Sequence, residues 1–327
     1  MEKMSERKPA AERKLSAGQI LTNLSMPILL LLLIIVFSIL SKNFLTVRNL
    51  TNVLTQNAHI AVCCCAVMMI MVSGGTDLSI GYQMSVAAVL MAKTIQEGVF
   101  PVPVAIIMGV ILCMVLGGFN GVMGQVLKSH TMIITLGTMS VFRGISYLIS
   151  ESKTYNKLPD SFMFMGQGRL FGAIPVNVVI MLVIVVVVTI IMSKTSIGRK
   201  IYAVGDNPEA ARLAGLNVAK IKVLVFTFGG LLVGIAALLL AARSGSADSG
   251  TSGPGIEFTG ITACVLAGVA LKGGEGTLWK AIVAVYVLGV LSNGMQLIGL
   301  GAYPQYIATG LIMLVSLYLS NRTAKAM

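Results

Sequence analysis

Long apolar runs without a charge alternate along the chain with short polar ones. Residues 15–41 hold 27 such positions, 170–193 hold 24, 223–242 hold 20 and 281–321 hold 41. A bilayer core of about 30 Å takes roughly 20 residues of helix per crossing. The first three runs therefore predict one span each, and the last predicts two, divided near Gly299–Tyr303. Spans of ordinary length are also predicted at about 50–72, 99–127 and 131–150. Two runs are too short. After the interruption Ser73-Gly74-Gly75-Thr76-Asp77 only 15 charge-free residues (78–92) precede Lys93, about 22 Å of helix. The run 258–271 offers 14. Both predict short, tilted or broken helices. The pattern as a whole predicts an all-α polytopic membrane protein of about ten passes.

The two short segments align with each other. GGTDLSIGYQMSVAAVLMA (74–92) sits over PGIEFTGITACVLAGVALK (254–272), matching Gly75 to Gly255, Asp77 to Glu257, Ala87 to Ala267 and Val89 to Val269. LGGFNG (116–121) resembles LGVLSNG (288–294) with one residue added. The predicted topology starts the first copy inside and the second outside. That is the pattern of an inverted repeat, which puts a pathway between the halves near the bilayer midplane. The residues predicted to line it are Gly74, Gly75, Asp77, Ser79, Gly255, Glu257, Asn293 and Gln296. Gly117-x-x-x-Gly121 and Gly230-x-x-x-Gly234 permit close helix approach. Arg143 falls inside a span, which is costly unless it is ion-paired or faces a wet path. His59 reads either as a relay residue or as a histidine satisfied at headgroup level.

Composition agrees with this: 56% of residues are hydrophobic and only 11% charged, against about 25% charged in soluble domains. The net charge of +12 does not point to nucleic acid, because the basic residues lie between apolar runs and no basic patch is interleaved with aromatics. Lipid headgroups and topology account for them better. With both termini inside, two thirds of the Lys and Arg fall on cytoplasmic segments, as the positive-inside bias requires. The predicted layout is a basic cytoplasmic tail (1–19), a membrane domain (20–321) and a short cytoplasmic tail (322–327). The run 15–41 is too long for a signal peptide and lacks a small-x-small cleavage site, which predicts a retained first span.

Catalytic chemistry is hard to find. No Gly-x-x-x-x-Gly-Lys-Ser/Thr string occurs, and Gly273-Gly274-Glu275-Gly276 lacks the lysine that would reach phosphates. There is no His-Glu-x-x-His, no nucleophile elbow and no Cys-x-x-Cys, and the chain has two histidines in all. Cys63, Cys64 and Cys65 point about 100° apart on a helix and read as packing residues, not as a metal site. No catalytic residue, metal or cofactor is expected on this chain. An intramembrane acid such as Asp77 or Glu257 could relay protons in a secondary transporter.

The longest polar island is SKTSIGRKIYAVGDNPEAARLAGLNVAKIKV (193–223), with six basic residues and two acids. Its inner half predicts a short surface helix over about 207–214. Asp206 or Asn207 can cap it, Pro208 suits the first position, Glu209 favours the positive end, and Gly215 or Asn217 can end it. Held between two spans, such a helix projects as a knob that a partner could grip.

The string AVGDNPEAARLAGLNV (203–218) resembles the cytoplasmic loop of ribose-type ABC transporter permeases. Glu209-Ala210-Ala211, three residues short of Gly215, also matches the wider EAA motif, without the later Pro that the motif usually carries. The likeness extends to SGGTDLSIG (73–81), FRG (142–144) and LSNGMQLIG (291–299), so it covers nearly the whole chain. What it implies is a non-enzymatic permease subunit in a bacterial plasma (inner) membrane. ATP would be bound by a separate ABC ATPase pair. A second permease chain, identical or related, and a periplasmic or lipid-anchored sugar-binding protein would complete the importer. The coupling loop would span 194–222, with contacts at Gly205, Asp206, Asn207, Glu209, Ala210, Ala211, Arg212 and Gly215. A ribose-, galactose- or xylose-like sugar is the implied cargo. A branched-chain amino acid, a furanone-type signal and an ion-coupled carrier are the competing readings.

Overall fold

The computed structural model describes residues 17–325. The chain opens with α1 (Ala17–Leu40), α2 (Val47–Val72), α3 (Ile80–Gln96), α4 (Val102–Val126) and α5 (Thr131–Ser150). The segment after α5 holds β1 (Tyr155–Asn156), α6 (Asp160–Gln167), β2 (Arg169–Leu170) and β3 (Ile174–Pro175), the last inside the run 170–193 predicted as span. Next come α7 (Val176–Lys194), α8 (Ser196–Asp206), α9 (Pro208–Leu213) and α10 (Val218–Ser244). β4 (Ser246–Ala247), α11 (Ile256–Leu266), α12 (Leu278–Leu297) and α13 (Ala302–Lys325) complete the chain. Of the basic tail expected over 1–19, residues 1–16 lie outside the described residues. Residues 322–325, expected in the other tail, continue α13.

The protein is an all-α polytopic membrane protein. Each of the ten predicted passes falls on one helix. Among the described residues α2, α4, α5, α7, α10 and α12 are long and apolar enough to cross a bilayer. The two short runs became short helices. α3 has 17 residues and is buried over most of its length, while α11 has 11, about 17 Å of rise.

α2 and α10 cross the centre antiparallel. Ile70 lies against Gly229 near one end of the pair, and Thr51 and Thr55 share a small cavity with Arg243 at the other. α3 packs on α4, α5 and α10, and α11 packs on α12, α13 and α2. α4 packs on α10 just as α12 packs on α2. Exchanging α2 with α10, α3 with α11, α4 with α12 and α5 with α13 therefore maps one set of contacts onto the other. This is the predicted inverted repeat.

The α4–α10 contact is made by the two predicted glycine pairs. A side chain at Gly117 would collide with the Phe226 carbonyl and one at Gly121 with Phe226 and Val223. From the other side, Gly230 faces the Cys113 carbonyl and Gly234 the Val110 backbone. Gly117-x-x-x-Gly121 and Gly230-x-x-x-Gly234 thus interlock, and the gain is close backbone packing that lipid tails cannot match. The outer helices leave their apolar residues uncovered, as Ile39, Leu148 and Val183 show.

At the end of the molecule away from α8 and α9, the loops are tied to each other. β1 pairs antiparallel with β4, Tyr155 opposite Ala247 and Asn156 opposite Ser246. Lys93 on α3 bonds the Ile149 carbonyl (3.0 Å) and Glu151 (2.9 Å), which also takes Lys153 (2.6 Å). These two ammonium groups, Lys153 first, hold the Glu151 carboxyl down at about 2 from its ordinary 4.5.

Gly230→Ala is expected to destabilise the protein by about 1–3 kcal/mol, because backbone must shift to admit the methyl. Gly137→Ala on α5, with nothing within 4 Å, is expected to be neutral or better. Thermal unfolding in detergent compares the two. A depressed carboxyl stabilises above its ordinary pKa and loses that contribution as pH falls through the lowered value. Glu151→Gln should therefore lower Tm equally at pH 6 and pH 8, with the difference from wild type vanishing only towards pH 2.

Candidate functional site

Between α2 and α3 the chain leaves the helix inside the protein. α2 ends in a Schellman turn: Gly74, at φ +77°, bonds the Met71 carbonyl (2.9 Å) and Gly75 the Ile70 carbonyl (3.0 Å). The extended residues that follow have no ladder of their own, and α5 satisfies them. Thr131 Oγ1 accepts from the Thr76 amide (2.9 Å), and Thr135 Oγ1 accepts from the Leu78 amide (3.0 Å) while donating to the Thr76 carbonyl (3.3 Å).

Asp77 holds the turn together. Its Oδ1 accepts from the Ser79 amide (2.8 Å) and hydroxyl (2.6 Å). Its Oδ2 accepts from Gln83 Nε2 (2.9 Å) and from Asn120 Nδ2 of α4 (3.2 Å). Both amides also donate to Ser79 Oγ, at 2.9 and 2.8 Å. All four side chains are buried. Four donors around one carboxylate suit its ionised form, because charged acceptors make the stronger bonds.

The second break, between α10 and α11, meets the first. Gly245 closes α10 at φ +66°, and Gly253 and Gly255 are also left-handed. Glu257, buried on the first turn of α11, accepts from the Gly255 amide (3.0 Å) and occupies the space a side chain at Gly81 would need. Gly253 in turn lies against the Gly81 carbonyl. One turn along α3, Ser85 Oγ bonds Ser146 Oγ (2.8 Å), and Ser249 joins Ser146 and Ser150 (3.0 and 2.7 Å). A row of buried hydroxyls thus links both breaks to α5.

The predicted lining residues divide. Gly75, Asp77 and Ser79 belong to the first break, and Gly255 and Glu257 to the second. Asn293 and Gln296 lie elsewhere. Asn293 exchanges two hydrogen bonds with Asn49 at the start of α2 (2.9 and 3.0 Å). Asn49 and Val72 are 23 residues apart, about 35 Å of helix, so this pair sits at the opposite end of α2 from Asp77. Gln296 is exposed. The ion pair considered for Arg143 does not form: its guanidinium lies 5.9 Å from the Tyr82 ring centroid, and no carboxylate is within 4.0 Å among the described residues. His59 is buried inside α2, and its Nδ1 has no hydrogen-bond partner among the described residues.

The polar island forms two helices where one was predicted. α8 is capped by Thr195, which accepts from the Gly198 amide (3.2 Å), and buries Ile201, Val204 and Gly205. Asp206 is its last residue. Asn207 caps α9 by accepting from the Glu209 and Ala210 amides (3.1 and 3.0 Å), and Pro208 takes the first position. Glu209 pairs with Arg212. Gly215, at φ +82°, bonds the Arg212 carbonyl, and Leu216 bonds the Ala211 carbonyl, a second Schellman turn. Leu213 is 88% exposed at the tip. Both ends of α9 are therefore capped, and its apolar tip has no cover among the described residues.

At Gly205 this helix pair meets the base of α2, in addition to packing on α7 and α10. The Gly274 amide donates to the Val72 carbonyl at the end of α2 (2.9 Å), and Gly205 packs on that bond so closely that any side chain would collide with it. Gly273 lies against Gly74 and the Gly205 carbonyl, and Gly274 against Asp206. Tyr202 of α8 donates to the Gly276 carbonyl (2.8 Å). Four glycines thus join α8 to the first break and to the turn between α11 and α12. Sequence reasoning placed Gly74 in the pathway, weighed Gly273 and Gly274 only as a phosphate loop without its lysine, and passed over Tyr202. It also missed Gln83 and Asn120, though each is a lone amide in an apolar run, which is a signal in itself.

A profile of the branched-chain amino acid transport system permease component matches residues 49–317. The ribose import permease protein RbsC of Bacillus subtilis is 33% identical over 294 residues, covering 90% of this chain and 91% of that protein. The L-arabinose transport system permease protein AraH of Escherichia coli is 32% identical over 319 residues, 97% and 96% of the two chains. The probable ABC transporter permease protein YphD of Escherichia coli is 32% identical over 303 residues, 91% and 90%. No solved structure gives a significant match.

Asp77→Asn places an amide among groups that already donate, so at least one donor loses its partner. The expected cost is about 1.5–3 kcal/mol, the range for hydrogen bonds to a charged group. It should be read as a lower Tm, and Asp77→Glu should not restore it because the longer chain overfills the site.

Proposed function

The chain belongs to the permease family of branched-chain amino acid transport systems, and on that footing we propose that it is the membrane-spanning subunit of an ATP-driven importer of a monosaccharide. The observation that carries the reading is the glycine joint. The cytoplasmic helix pair rests directly on the end of α2 and on the turn before α12, so a push on α9 has a short route to both halves of the repeat. The absence of a P-loop in the sequence puts nucleotide chemistry on a partner.

In this reading α8 and α9 face the cytoplasm, in keeping with six basic residues on the island and with the positive-inside bias. The chain is a multi-pass protein of a bacterial plasma membrane with both termini inside. An ABC ATPase grips α9 through Asn207, Glu209, Ala210, Arg212 and the exposed Leu213. Closing of an ATPase pair pushes two permease chains, identical or related, from an outward-open to an inward-open form. An external binding protein, free or lipid-anchored, delivers the cargo at the end that carries the β1–β4 pair. The cargo reading follows the relatives, whose names specify ribose and L-arabinose. Both are five-carbon sugars, so a pentose is the first candidate.

Transport in proteoliposomes containing the ATPase and binding protein tests this. Gly215→Val, which forces a β-branched residue to φ +82°, is expected to cut ATP-driven uptake at least tenfold and weaken ATPase co-purification. Gly215→Asn, which tolerates that conformation, should retain both. Uptake driven by an ion gradient without any ATPase would overturn the proposal.

A further inference from the structure

Beside the island the outer faces of α4 and α10 flank an open groove of about 700 Å³. Met114, Val122, Val126, Val223, Leu224 and Phe228 wall it, and Gln125, Asn217 and Lys220 lie at its mouth. A second hollow of about 270 Å³ lies on the other side of Lys220, between Ile197 of α8 and Ile221 and Leu224 of α10, with Lys200 at its rim. Among the described residues neither Lys200 nor Lys220 has a carboxylate within 4.0 Å. The Asn217 side chain caps α10 here, accepting from the Lys220 amide (2.9 Å), so the positive end of a 27-residue helix adds to the two ammonium charges.

Met114 and Gln125 are eleven residues apart on α4, about 17 Å, close to half of a bilayer core of about 30 Å. The groove is thus as deep as one leaflet. Apart from Thr227 it is apolar along the helices, and its one basic residue, Lys220, lies at the end beside the island. The geometry points to a binding site for one anionic phospholipid, its phosphate held between Lys200 and Lys220 and one acyl chain lying along the α4–α10 groove. A second copy of this chain is a poor occupant, because a chain with 24 basic and only 12 acidic residues has few carboxylates to offer the two lysines. An anionic lipid supplies the missing charge and, by touching α8, α10 and α4 together, clamps the helix pair to the membrane domain. The inference needs neither the sugar nor the ATPase, and its test reads lipid binding, not uptake.

The full chain is purified in neutral detergent and titrated with phosphatidylglycerol or with phosphatidylcholine of the same acyl chains, with native mass spectrometry and thermal unfolding as readouts. The expected result is one retained phosphatidylglycerol per chain, at least tenfold preferred over phosphatidylcholine, with a Tm raised by several degrees. The double variant Lys200→Gln, Lys220→Gln should lose that preference. Lys220→Arg, which keeps the charge and guards against a folding artefact, should retain it, as should a control at Lys153→Gln, Lys157→Gln. Equal affinity for the two lipids, or a preference that survives the double glutamine variant, overturns the proposal. So does inorganic phosphate reproducing the shift without lipid. Disulfide-linked dimers formed by Val122→Cys in lipid nanodiscs would assign the groove to a second copy.

Discussion

A peptide group inside hydrocarbon has no water to bond, so every break in a membrane helix must find its partners within the protein. That requirement organises this molecule around residues 73–79. The chain abandons the helix there in mid-protein, and the freed groups are met by two threonines of α5 and an aspartate of the break itself, whose carboxylate is held in turn by amides from α3 and α4. Each partner stands on a different element, so the break and the packing of three helices are one structure. The second break, after α10, is solved more locally, by left-handed glycines, by Asp248, whose carboxylate accepts from the Gly250 and Thr251 amides, and by a glutamate folded back onto its own backbone. The two solutions share a surface at Gly81, Gly253 and Glu257.

Close approach is the second condition. Lipid tails are as apolar as leucine, so helices gain little by burying oil against oil and must gain it by fitting. The α4–α10 seam meets this with four glycines at a four-residue spacing, each set against main chain of the other helix. The same device recurs at the base of α2, where glycines from three separate segments meet around a single hydrogen bond from Gly274 to Val72.

How much of this was legible follows from what each feature depends on. Spans announce themselves by the length of uncharged sequence, and the two short runs announced the two short helices. The glycine pairs at 117–121 and 230–234 were readable because spacing alone sets which face they share. The cap of α9 was readable because Asn207, Pro208 and Gly215 act within one turn of themselves. α8 was passed over although Ile197, Ile201 and Val204 repeat at helical spacing; its polar residues drew it into a loop. Long-range partners were beyond reach. Nothing local says that Asn293 pairs with Asn49, 244 residues away, rather than with the break, or that Gly205 meets Gly273. The Tyr82 ring beneath Arg143 belongs to the same class.

Where Gly205 of α8 meets the base of α2, main chain rests on main chain. A packed leucine or methionine absorbs a displacement by hopping to another rotamer, at little energy. Bare main chain owns no rotamers to spend. At Gly74, Gly205, Gly273 and Gly274 a shift of one segment has to reappear undiminished in the next, as in gearing cut without backlash.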